Sequence, residues 1–196
     1  MKEVLKYGLI LTVVCAVAAG FLAGVNRLTK PLILARLYEE KNVSLKEVLP
    51  QAYNFEEVKK GDNTLYYRAY DRNKNIIGAA FIASAKGYSG TIETMVGMLN
   101  DGTINAVKIL QQNETPGLGA RIQEVKNEIT IFDALTGRKS TVSQRPWFQQ
   151  QFTGKEPGEL TNVDAISGAT ISSKAVIDSV KEKAEEVRKL IQNQKI

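Results

Sequence analysis

The chain contains no histidine and a single cysteine, Cys15. Without histidine there is no Ser-His-Asp triad, no imidazole general base and no Cys/His zinc site. One cysteine rules out a disulfide framework and a cysteine-ligated iron–sulfur cluster. A strong charge of one sign is also missing, since 26 basic residues face 21 acidic ones and leave a net charge of +5. No basic run is interleaved with aromatics, so no nucleic-acid partner is expected. Repeats and low-complexity segments are absent as well. Chemistry in this chain must use carboxylates, hydroxyls, backbone dipoles or a borrowed cofactor. What is present is ordinary for a folded protein: 196 residues, 43% hydrophobic and 24% charged. That length suits one domain with accessory segments.

The long apolar run is the first positive signal. Residues Tyr7 to Val25 carry no charge over 19 positions. As a helix they span ~28 Å, close to the ~30 Å hydrocarbon core of a bilayer. Lys2 and Lys6 flank one end, Arg27 and Lys30 the other. A cleaved signal peptide is the alternative, because Ala16-Val17-Ala18 has a small-x-small form. The apolar run continues through Gly20-Phe21-Leu22, which favours a retained single-pass anchor in the membrane lipid. Cys15 lies inside it as a small apolar residue. The positive-inside rule leaves the side open, since Arg27, Lys30, Arg36 and Lys41 follow the run.

The remainder reads as α+β. Residues 1–6 form a short tail, 7–25 the anchor, 26–60 a helical connector and 61–196 one domain. In the connector, Ser44 and Glu47 have capping-box spacing, with Val43 and Val48 placed for a hydrophobic staple. Pro50 ends that short helix. Four strands are predicted at Thr64–Tyr70, Ile76–Ala85, Thr91–Leu99 and Thr103–Leu110, forming a mostly antiparallel sheet. Asp71–Asn75 and Asn100-Asp101-Gly102 are the turns. Helices are expected over Leu118–Glu128, over Pro146–Phe152 and from Ser172 onward. In the last, Val176, Val180, Ala184, Val187 and Ile191 make one apolar stripe. Its opposite face, from Lys181 to Lys189, reads as solvated charge.

Three small-residue clusters could hold a ligand. Asp164 to Ser173 places Ser167, Gly168, Ala169 and Thr170 directly before the amphipathic helix. The unpaired N–H groups and positive pole of a helix start suit an anion such as phosphate. The same residues also serve as ordinary helix caps. Glu114-Thr115-Pro116-Gly117-Leu118-Gly119 could shape a phosphate- or ring-approaching turn, or be a tight turn alone. It is neither a dinucleotide fingerprint nor a Walker loop. Gly87-Tyr88-Ser89-Gly90 is a turn with one aromatic, and it is not a nucleophile elbow. No metal site and no catalytic side chain are expected.

In this order and spacing the clusters resemble one family, the G subunit of the Rnf electron-transport complex. That family is related to the C subunit of the sodium-pumping NADH:quinone oxidoreductase. The likeness covers nearly the whole chain: the anchor, Gly87–Gly90, Met95-Val96-Gly97, Asp101-Gly102, Glu114–Gly119, Gln151-Phe152, Gly154-Lys155 and Val163–Thr170. It implies an FMN-binding domain in which Thr170 carries FMN through a phosphoester bond. It implies too that a flavin transferase reads Asp164 to Thr170, with Ser167, Gly168 and Ala169 around the attachment. Glu114, Thr115, Gly117, Leu118, Gly119 and Tyr88 are then candidates for contact with the flavin. The other membrane and peripheral Rnf subunits are the implied partners, and the inner membrane is the implied location, with the domain on its extracytoplasmic side.

The resemblance makes the chain an electron carrier within an ion-translocating ferredoxin:NAD oxidoreductase, with no complete activity alone. The C subunit of a quinone reductase, another tethered flavin domain or a non-redox structural protein are the rivals. One position departs from the pattern: Gln112 stands where many members have histidine. Thr91 also replaces a frequent proline.

Overall fold

The computed structural model describes residues 2–61, 63–125 and 145–193. It divides into two units, one ending at Val43 and one from Ser44 onward.

The first unit is the bulk of helix α1 (Lys2–Val48). Its most apolar 18-residue window has a mean hydropathy of 2.4, long and apolar enough to cross a membrane. Apolar side chains stand exposed on every side, among them Leu9, Val17, Phe21 and Leu32. A helix apolar all round suits burial in lipid rather than one-sided packing on a core. At 1.5 Å per residue the 47 residues reach roughly 70 Å, about twice the hydrocarbon thickness.

The helix does not restart at Ser44. It runs through Pro31 and through the predicted cap. Ser44 is buried with no partner for its hydroxyl, and Val43 is exposed, so neither capping box nor staple forms. Tertiary packing overrides the local signal. Leu45, Val48, Leu49 and Ala52 are buried against one face of the sheet, and that contact holds the helix in register. The Glu47 carboxylate turns instead to Lys108 at 2.7 Å. Two carbonyls at the helix end are met by side chains: Asn105 Nδ2 donates to Val48 O, and Arg145 to Glu47 O.

The sheet has five strands, not four: β1 (Asn54–Lys60), β2 (Asn63–Tyr70), β3 (Ile76–Lys86), β4 (Thr91–Leu99) and β5 (Ile104–Gln111). They pair in sequence order and all antiparallel. The end of the expected helical connector is therefore β1. Its charged Asn54-Phe55-Glu56-Glu57-Val58-Lys59-Lys60 sequence lacks the apolar alternation of a buried strand. It suits an edge, where charge discourages pairing with other chains.

Alternation along the strands serves two cores. Phe81, Ile92, Val96, Met98 and Val107 face one side. Ala69, Ala80, Met95 and Ala106 face the other, beneath the end of α1. Gly97 is fixed by that second contact, since a Cβ there would lie 2.5 Å from the Val48 carbonyl oxygen. On the first side sit a 3-10 turn (Gly119–Gln123), the short helix α2 (Trp147–Gln150), a second 3-10 turn (Pro157–Asn162) and the long helix α3 (Thr170–Asn193). Val176, Val180, Ala184 and Val187 are fully buried as the periodicity requires, joined by Ile177, while Ile191 is only partly covered. Burying each such valine or isoleucine side chain contributes about 1.5–3 kcal/mol, which is why this helix seats firmly on β3 and β4.

Two helix expectations are shortened. Leu118–Glu128 yields only the 3-10 turn within its described part, because the buried Glu114 holds Gly119 close and Gln123 turns to the Ile109 carbonyl. Residues 126–128 of that stretch lie outside the described residues. Pro146–Phe152 is helical over Trp147–Gln150, with Phe148 and Phe152 edge-to-face at 5.4 Å.

Candidate functional site

Helix α3 begins two residues before the expected start at Ser172. Ser173 N donates to Ala169 O at 2.9 Å, the first i→i−4 bond, so Thr170 is the first helical residue rather than the cap. Just before it, Ala169 N donates to Ile166 O at 2.9 Å and closes a tight turn. Gly168 occupies the third place of that turn with φ +79, the geometry that asks for glycine. Among the described residues, nothing accepts from the backbone N–H groups of Thr170, Ile171 and Ser172. The helix start is thus an uncapped positive pole.

The hydroxyls of this segment point different ways. Ser172 and Ser173 are buried: Ser172 Oγ donates to Glu114 Oε2 at 2.5 Å, and Ser173 Oγ accepts from Ile166 N at 3.0 Å. Thr170 is exposed and its hydroxyl has no partner among the described residues. Two longer side chains pin the approach to the turn. Gln151 brackets the Asp164 backbone, accepting from its N–H and donating to its carbonyl, which leaves the Asp164 side chain exposed. Arg121 Nη1 donates to Ser167 O at 3.2 Å.

The Glu114 segment meets the same place from the other side. Leu118 N donates to Thr115 O at 3.1 Å across Pro116-Gly117, with Gly117 at φ +76. Proline second and a positive-φ glycine third define a type II turn. The Thr115 carbonyl is spent on that turn, and also accepts from Ala120 N, whereas its hydroxyl and N–H have no partner among the described residues. Gln112, at the position where histidine is frequent, is structural: its Oε1 accepts from Glu114 N at 2.6 Å and its Nε2 donates to Gln123.

Glu114 joins the three clusters. It is 6% exposed, and its carboxylate accepts from Ser89 N at 2.9 Å, Tyr88 N at 3.3 Å and the Ser172 hydroxyl. Burial pushes its pKa up, but the hydrogen bonds from Ser172, Ser89 and Tyr88 outweigh this and hold it below the usual carboxylate range. Gly87 and Gly119 are the room this carboxylate needs. A Cβ at Gly87 would lie 2.5 Å from Oε1, and one at Gly119 2.4 Å from Oε2.

Between the clusters lies a cleft of about 320 Å³, within the ~300–1,000 Å³ of small-molecule sites. Tyr88, Glu114, Thr115, Leu118, Gly119, Gly168, Ala169 and Thr170 line it, together with Ile171 and Ser172. Tyr88, Leu118 and Ile171 are more than half exposed at its rim. Every expected contact residue from the three clusters therefore lines one cleft, except Ser167 and Gly117, which shape the turns behind it, and Asp164, which stands outside. Ser172 and Ile171 escaped the sequence reading. The apolar stripe marked the helix from Ser172 on, and nothing in the spacing shows that a serine in the first turn faces a carboxylate 58 residues away.

Known proteins place these features together. The FMN-binding domain family matches residues 87–185, and the RnfG N-terminal region family matches residues 1–48. The G subunit of the ion-translocating oxidoreductase complex of Methanosarcina acetivorans is 33% identical over 91% of this chain and 92% of its own length. The G subunit of the Na(+)-translocating ferredoxin:NAD(+) oxidoreductase complex of Acetobacterium woodii is likewise 33% identical, over 91% and 89%. A crystal structure of Shewanella oneidensis NqrC aligns over 73% of this chain and 74% of that one, with a TM-score of 0.45 and 18% identity. From its membrane-length helix to its cleft-forming turns, the chain belongs to the G-subunit family of ion-translocating oxidoreductase (Rnf) complexes and carries that family's FMN-binding domain.

Proposed function

We propose that this protein carries FMN covalently on Thr170 and relays electrons within a membrane-bound, ion-translocating ferredoxin:NAD oxidoreductase. The observation that carries the reading is the exposed Thr170 hydroxyl on an uncapped helix start beside the cleft. A phosphodiester keeps one negative charge, and three free backbone N–H groups at the positive end of α3 are suited to solvate it. The remaining surfaces fit a flavin too. Tyr88, Leu118 and Ile171 give apolar faces, Thr115 keeps a free hydroxyl and N–H, and the positive-φ turn at Gly168 faces Leu118 directly, with a Cβ there 3.7 Å from Leu118 Cδ2.

FMN supplies the electron chemistry. The chain binds and orients it and tunes its surroundings. Thr170 fixes the phosphate end, Gly168 and Gly117 let the turns approach, and Leu118 excludes water from one side of the cleft. Asp164, Ala165, Ser167, Gly168 and Thr170 are exposed and accessible to a flavin transferase, while Ile166 and Ala169 anchor the segment in the core. Partners are the other Rnf subunits, and α1 is the membrane anchor. Expression with and without a flavin transferase tests the reading: yellow in-gel fluorescence that survives denaturation is expected only with the transferase.

Leu118→Ala is expected to keep the covalent bond while exposing the ring. Absorbance and midpoint potential should then move toward those of free FMN. Unchanged values, with a shift on Tyr88→Ala instead, would place the ring against the other loop.

The domain beyond α1 lies on the extracytoplasmic side in this reading. In intact cells, an impermeant thiol reagent should label a Thr161→Cys variant on a Cys15→Ala background, Thr161 being exposed in its 3-10 turn. Labelling only after permeabilisation reverses the orientation.

A further inference from the structure

We propose that Glu114 is a fixed negative charge in the wall of the flavin cleft that lowers the reduction potential of the bound flavin; this rests on the function proposed above. The side chain lines the same cleft as Thr170 yet is almost wholly buried. Its three hydrogen-bond donors are the Ser172 hydroxyl and the backbone N–H groups of Tyr88 and Ser89, all of them neutral. Among the described residues it has no ion-pair partner: Arg121, the cation of the neighbouring turn, is engaged with Glu124 and the Ser167 carbonyl. Hydrogen bonds from neutral donors hold the carboxylate ionised without cancelling its charge, so its field acts on whatever occupies the cleft.

Reduction adds negative charge to a flavin, and a carboxylate in the wall opposes that. A unit charge roughly 10 Å away at an effective dielectric near 20 is enough for a change of order tenfold in the reduction equilibrium. Glu114 touches no reacting atom in this role. It sets the potential through space, and the same carboxylate positions α3 through Ser172.

Two variants separate charge from scaffold in the transferase-treated, full-length protein. Glu114→Gln removes the charge at nearly constant volume, and the midpoint potential should rise by about 30 mV for a two-electron couple, the equivalent of tenfold. Ser172→Ala loosens the same scaffold but keeps the charge and removes one dipole that offsets it, so the potential should fall. If the Glu114→Gln protein does not accumulate loaded with flavin, the Ser172→Ala shift decides: a fall supports the proposal, and a rise or no change overturns it. A Glu114→Gln potential equal to wild type, or both variants rising together, also overturns it. A wild-type protein with no covalent flavin fails the earlier reading instead, and the intact mass of the same sample distinguishes the two.

Discussion

Thr170→Ala should abolish covalent flavin completely while leaving the fold in place. A phosphoester needs a hydroxyl, and the other candidates nearby are poorly placed: Ser172 and Ser173 are buried and bonded inward. Ser167 is exposed but sits in the turn rather than on the helix. The stability cost should be small, within about 0.5 kcal/mol, because Thr170 occupies the first helical position and its hydroxyl caps nothing. A true cap residue would cost ~1 kcal/mol. Chemical denaturation compared with flavin fluorescence on a denaturing gel separates the two effects. Thr170→Ser keeps a hydroxyl at the same place and should regain measurable loading. Fluorescent protein from Thr170→Ala would mean that another hydroxyl is the acceptor.

Gly119→Ala should have the largest effect on stability of any single methyl added at the site. Its Cβ would lie 2.4 Å from Glu114 Oε2 and 2.7 Å from both Glu114 Cβ and Ser172 Oγ. None of these can retreat cheaply, since the carboxylate is bonded to the 87–90 turn and the serine is in the first turn of α3. Overpacking of this kind costs about 1–3 kcal/mol. Because the displaced groups join all three clusters, loading at Thr170 should fall in parallel. Gly158→Ala is the control, with open space around the added methyl and an expected change near zero. Equal stability of the two variants in urea would contradict the packing around Glu114.

The sheet and the last helix were legible for different reasons. β3 and β4 are rich in β-formers and bounded by turn residues, though buried on both faces and so without polar–apolar alternation. The four-three spacing from Val176 to Val187, by contrast, follows directly from one buried helix face. Strand β1 was not legible, since its Glu-Glu and Lys-Lys pairs suit an edge and carry no alternation. The Ser44 signal misled for a different reason. Local capping chemistry is worth about 0.5–2 kcal/mol, and the burial of Leu45, Val48 and Leu49 on the sheet exceeds it. At the site, the clusters could be found as motifs but their geometry could not. That Gly87 and Gly119 make room for a carboxylate, rather than for a ligand, depends on how Glu114 folds against both segments. So does the use of Tyr88 and Ser89 N–H groups by Glu114, which removes them as donors to a flavin. Gln112 illustrates the same limit. The family resemblance implies a frequent histidine at its position, but its role in holding Glu114 N and Gln123 emerges only in the fold.

The most direct measurement is the mass of the full-length protein isolated from a host that contains a flavin transferase, followed by mapping of its peptides. A single species heavier than the chain by one FMN less one water is expected, with the whole increment on the peptide that contains Thr170. An unmodified chain from that host, or an increment confined to a peptide without Thr170, would contradict it.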